Sequence, residues 1–158
     1  MDAQIDAQTA FNLINASVLP AWALLVFAPN WRWTDRLVQS GLWPVGLGLV
    51  YLAGLVGALL YGPEVEVDFT TIEGVGAIFS HPLGILTGWT HYLVFDLFAG
   101  MWEARDAKRR QVPHLLLVPC LLLTFMAGPA GLLLYFVLRR KWRMEIYPPN
   151  SQPQSDLA

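Results

Sequence analysis

The sequence predicts an all-α fold, a polytopic membrane helix bundle of four hydrophobic segments, the last broken at Gly128-Pro129. Three observations predict it. Of 158 residues, 55% are hydrophobic and only 14% charged, where a soluble globular domain carries about 25% charged residues. The deficit is concentrated in four apolar blocks, each near or above the ~20 residues that cross a bilayer. Tryptophans flank the blocks, where an aromatic belt is expected. The length suits one domain, 1–143, followed by a polar Pro/Ser/Gln tail, 144–158, that is expected to be disordered.

The first segment covers residues 11–28, with Pro20 inside it to remove a backbone donor and kink the helix. The connection that follows carries Trp31 and Trp33. The second segment, 37–61, contains the small-residue pairs Ala53/Gly57 and Gly54/Ala58, spaced to admit a close neighbouring helix. A long acidic connection holds Glu64, Glu66, Asp68 and Glu73, and its part 70–79 reads as a short interfacial helix. The third segment, 83–102, is followed by a basic connection with Arg105, Lys108, Arg109 and Arg110. The fourth, 112–138, is interrupted by Pro119 and by Gly128-Pro-Ala-Gly131. Its length favours one tilted, kinked span. The alternative is a re-entrant hairpin turning at Gly128-Pro129, which would put all ten Lys and Arg residues on one side. In either case the positive-inside bias makes the basic connection 103–113 cytoplasmic and the acidic one external.

Composition excludes several classes. A net charge of −2 offers no basic footprint for nucleic acid. The single Cys120 has no partner for a disulfide or a metal site, and His81, His91 and His114 are not at ligand spacing. No metal and no cofactor are expected. The acidic start Met-Asp-Ala-Gln-Ile-Asp lacks a basic leader region, which favours direct insertion into a bacterial inner membrane.

The chemistry-bearing residues centre on the third segment. Asp96 and His91 lie inside it, and an ionisable group at that depth is costly, about 2.5–3.5 kcal/mol for Asp on insertion scales. Trp89, Tyr92, Asp96 and Glu103 fall on one helical stripe. His91 is five residues from Asp96, about 140° round the helix, so a joint site requires a cavity between helices. Asn12 and Asn15 share a face of the first segment and could pair with Asp96 or with a ligand hydroxyl. Trp22 and Trp89 lie within spans and could wall a pocket for a long apolar ligand. Thr124, Tyr135 and the Gly128-Pro129 break supply polar groups in the fourth segment, and broken helices often line binding sites. For each of these the plain alternative is interhelical packing.

Several blocks together resemble a known family. They are Leu19-Pro-Ala-Trp22 with Ala28-Pro29, Trp31 and Thr34; Glu73-Gly74 with Phe79; Gly88-Trp-Thr-His-Tyr-Leu-Val-Phe-Asp-Leu-Phe-Ala-Gly100; Val112-Pro-His114 and Pro119-Cys-Leu121; and Gly128-Pro-Ala-Gly-Leu-Leu-Leu-Tyr135. In that order, over residues 11–140, they resemble the abscisic-acid-deficiency-four-like membrane proteins, whose plant members are associated with neoxanthin formation. The chain has no plastid-targeting extension and so looks like a bacterial relative. The resemblance implies carotenoid modification. In the plant case a 5,6-epoxide opens, a proton leaves the neighbouring polyene carbon, and an allene with a tertiary hydroxyl forms without a redox cofactor. That chemistry needs an acid and a base, for which Asp96 and His91 are the candidate catalytic residues. Asn12, Asn15, Trp22, Trp89, Tyr92 and Tyr135 are the candidate substrate-binding residues. The competing reading is a non-catalytic accessory or carotenoid-binding subunit of a larger complex. Expected partners are membrane lipid, a carotenoid or other long apolar ligand, and a second copy or another membrane protein.

Overall fold

The computed structural model describes residues 2–63 and 67–142. The acidic residues Glu64 and Glu66, Arg143 and the tail 144–158 lie outside them. The described residues form five α-helices with no strand: α1 (Asp2–Phe27), α2 (Leu42–Tyr61), α3 (Ile72–Ile78), α4 (Pro82–Arg110) and α5 (His114–Leu138). A π-helical turn, Thr34–Gln39, follows α1, and a 3-10 turn, Arg139–Lys141, follows α5. Stretches of α1, α2 and α5 are long and apolar enough to cross a membrane. α4 is longer still but more polar, because it holds His91 and Asp96 and runs on through the basic residues the sequence reading assigned to a connection.

α4 is the central helix and packs against α1, α2 and α5. Its start is set locally: Pro82 occupies the first turn, where no backbone donor is needed, and His81 Nδ1 accepts from Leu83 N at 3.3 Å. Its end is a left-handed Gln111, φ 56°. Small residues on α2 bring α4 close, with Gly54 against the Thr87 side chain and Gly57 against Leu83. The rest of α2 is largely uncovered, and Leu47 is its one buried residue. The expected interfacial helix appears as α3, capped by Thr71 Oγ1 accepting from Gly74 N at 3.1 Å.

α5 departs from the single kinked span favoured by its length. Ala127 leaves helical geometry at φ −154°, ψ 69°, and the chain doubles back there. A straight helix of this length would carry Leu138 about 36 Å from His114. Instead both ends meet the basic end of α4. His114 Nε2 donates to Val26 O at 2.7 Å, beside the α4–α5 junction, while Tyr135 and Arg139 reach Asp106 at 2.8 and 3.0 Å. Gly131 lies against Thr124, seven residues earlier, where a side chain would not fit. Pro129 opens the returning limb, 128–138, and Gly128 permits the close turn. The hairpin collects Arg32, Arg36, Arg105, Lys108, Arg109, Arg110, Arg139, Arg140 and Lys141 at one end of the molecule.

Candidate functional site

The stripe anticipated on α4 faces the α5 hairpin. Tyr92, Asp96 and Glu103 lie along it, with Asp106 and Arg110 continuing the same three-and-four spacing. Asp96 is buried, 8% exposed, and sits where the hairpin turns. Its carboxyl occupies the space that a side chain on Gly128 would need. The returning limb therefore begins directly against Asp96. The Tyr92 hydroxyl neighbours the same carboxyl, one helical turn away, and donates to Met126 O at 3.3 Å. That carbonyl lies in the break, so Tyr92 satisfies backbone that the hairpin leaves open. Asp96 Oδ2 is buried and has no hydrogen-bond partner among the described residues.

A second set of contacts supports this centre from α1. Asn15 Oδ1 accepts from Trp89 Nε1 at 3.0 Å, and the Trp89 ring stacks on Tyr92 with centroids 5.3 Å apart. Phe11 also packs against Trp89, centroid to centroid 5.8 Å. Trp22 is buried, lying on Gly100 and 5.3 Å from the Phe125 ring, so it closes the space one turn below Asp96. Asn15, Trp22, Trp89, Tyr92 and Asp96 are thus gathered at the meeting of α1, α4 and the α5 turn.

Three expected site residues lie elsewhere. His91 is exposed on the α2 side of α4, packed between Tyr51 (5.5 Å) and Phe95 (4.7 Å). It faces away from Asp96, and the two side chains share no hydrogen bond among the described residues. Asn12 is exposed and accepts from Gln8 Nε2 at 3.0 Å, one turn along its own helix. Neither amide reaches Asp96. Tyr135 is fully buried at the basic end, where its hydroxyl donates to Asp106 and its ring stands edge-on to Trp102 at 5.7 Å.

Two carboxyl groups outside the expected set complete the α4–α5 interface. Glu103 is fully buried; its Oε1 accepts from Thr124 Oγ1 at 2.9 Å and its Oε2 has no partner among the described residues. Asp106, beyond the apolar part of α4, receives Tyr135, Arg110 (2.7 Å) and Arg139 (3.0 Å) on one oxygen. Burial pushes the Asp106 carboxyl up, and the Tyr135 hydroxyl and two guanidinium groups outweigh it, leaving its pKa below the ordinary carboxylate value. The signal for both was their spacing from Asp96, seven and ten residues along one stripe. The sequence places Glu103 on that stripe, whereas Asp106 lies in the stretch 103–113 that reads as a basic connection.

The model of one family, described as ABA DEFICIENT 4-like, matches residues 9–135. The chain belongs to this family. The match contains the α4 stripe down to Asp106 and all of the hairpin through Tyr135, so both sides of the Asp96 centre are family structure. The chain is also similar to the protein ABA DEFICIENT 4, chloroplastic, of Arabidopsis thaliana, at 27% identity over 139 residues, which is 84% of this chain and 61% of that protein. The chain therefore spans under two thirds of the length of this relative. No solved structure matches it.

Proposed function

We propose that this protein is a carotenoid-modifying membrane protein that isomerises a ring end group at Asp96. The observation that carries the reading is the Asp96 carboxyl: buried, with one oxygen unpartnered, against the Gly128 turn of the hairpin and beside the Tyr92 hydroxyl. A residue held only for packing would have its hydrogen bonds filled, since an unsatisfied buried polar group costs about 1–3 kcal/mol. Family membership and the similarity to ABA DEFICIENT 4 point to carotenoid as the substrate class.

The two oxygens of one carboxyl can serve both proton transfers. The protonated oxygen gives its proton to the epoxide oxygen as the ring C–O bond breaks. The other oxygen takes the proton from the neighbouring polyene carbon, and that C–H electron pair becomes the second double bond of the allene. Asp96 ends in its starting state and no oxidant or reductant is consumed. The Tyr92 hydroxyl stabilises charge developing on the departing oxygen. Trp89 and Trp22 wall the polyene, and Asn15 holds Trp89 in place. His91 lies outside this mechanism.

Depth constrains the substrate pose. Asp96 is fourteen residues from both Pro82 and Arg110, about 21 Å along the helix each way. If α1, α2 and α4 cross the bilayer, Asp96 lies near its middle. A carotenoid as long as the hydrocarbon is thick must then lie slanted, its ring reaching inward and not resting at a membrane face. On this reading α5 is a re-entrant hairpin, and the positive-inside bias supports a basic end on the cytoplasmic side of a bacterial inner membrane.

Pigments extracted from an epoxy-carotenoid-producing host test the reading. Expression of the chain should convert epoxide end groups, and Asp96→Asn should not. A wild-type profile identical to the empty-vector control would remove the enzymatic claim. Pigment that co-purifies unaltered with the wild type would favour the carotenoid-binding accessory reading instead.

A further inference from the structure

At the basic end, away from Asp96, the α1–α2 connection and the α4–α5 junction enclose a hollow of about 430 Å³. Its wall includes Arg105, Lys108, Arg109, Asp35, Gln39 and His114. Three cations face one carboxylate. Lys108 meets Asp35 at 3.8 Å, and both are exposed; Arg105 and Arg109 form no ion pair among the described residues. The usual reason for cations at a helix C-terminus, unpaired carbonyls, is partly met already. Gln111 N donates to Lys108 O at 3.3 Å and Val112 N to Ala107 O at 2.9 Å. His114 is committed to Val26 O. The cationic charge is therefore left over for something else. Independently, Gln39 Oε1 is buried in this wall with no donor among the described residues.

We propose that the hollow binds a glycerophosphate group, its phosphate between Arg105, Lys108 and Arg109 and its hydroxyl donating to Gln39 Oε1. Guanidinium and ammonium groups supply charge-assisted donors to the phosphate oxygens. Gln39 selects a headgroup that carries a hydroxyl over a bare phosphate. The position suits a lipid, because Trp31 and Trp33 border the same connection and basic pockets at the cytoplasmic ends of membrane helices hold anionic headgroups. The site is separate from the carotenoid chemistry and stands or falls without it.

The test is the melting temperature of the detergent-solubilised full chain titrated with phosphatidylglycerol, phosphatidic acid, phosphatidylcholine and free glycerol 3-phosphate. Phosphatidylglycerol should raise it saturably and phosphatidylcholine should not. Combined Arg105→Gln, Lys108→Gln and Arg109→Gln should weaken binding at least tenfold, with the lipid-free melting temperature reporting that the variant is folded. Gln39→Leu should weaken phosphatidylglycerol more than phosphatidic acid. Stabilisation by glycerol 3-phosphate equal to that by lipid assigns the site to a soluble ester; response to lipid alone assigns it to a headgroup. Equal response to phosphatidylglycerol and phosphatidylcholine, or an unchanged triple variant, would overturn the proposal.

Discussion

Asp96 is a costly residue whose surroundings explain why it can stay. The α5 turn closes over it, the Tyr92 hydroxyl lies one turn away on α4 itself, and the glycine at the α5 turn makes room. Gly128→Ala should overpack this contact and destabilise the protein by about 1–3 kcal/mol, seen as a lower denaturation midpoint. Gly100→Ala should do the same by striking Trp22, which lies on it at 2.5 Å from where the new carbon would stand. Trp89→Phe keeps the stacking on Tyr92 but removes the bond to Asn15, and should cost about 1 kcal/mol. That Asp96 matters was legible in the sequence, as an acid in an apolar run. Its true neighbours were less so. Helical periodicity separated His91 from it correctly, but nothing local indicated that Asn15 would be taken by Trp89 instead. That bond joins residues 74 positions apart.

At the scale of elements, the hairpin is held by a cluster around Asp106. Tyr135, Arg110 and Arg139 all depend on this carboxylate, and Asp106→Asn leaves two guanidinium groups without their charge partner. The loss should be on the order of 3 kcal/mol. Its pKa is lowered in the fold, so between the folded and unfolded values the unfolded state binds more protons. The contribution is therefore complete above the unfolded value, about 3.9, and is lost as pH falls through the folded one. Acid titration of the melting temperature should show this fall in the wild type and a shallower one in Asp106→Asn. The apolar helices, and a short helix near 70–79, were readable from the lengths of the apolar runs. The doubling-back of α5 was not decidable from its own composition, because a mostly apolar segment of 25 residues suits one kinked span as well as two short limbs. What decides it is Asp106, a residue on another helix that binds the returning limb.

For the whole molecule, the hairpin resolves the distribution of charge. A full α5 span would divide the basic residues between two faces; the fold-back puts all the described ones at one end, opposite the acidic connection. Reporters fused after residues 111 and 142 should give the same side, and one inserted after residue 69 the opposite side. Opposite sides for 111 and 142 would contradict the hairpin. The central claim is that Asp96 carries out the chemistry. Its most direct test is the purified chain in lipid nanodiscs, supplied with an epoxy-carotenoid diol and assayed by chromatography for the allenic isomer. The wild type should form product, and Asp96→Asn, with an unchanged melting temperature, should fall by about 10²-fold or more, the range of a lost general acid–base group. An Asp96→Asn variant that turns over at the wild-type rate would contradict the account.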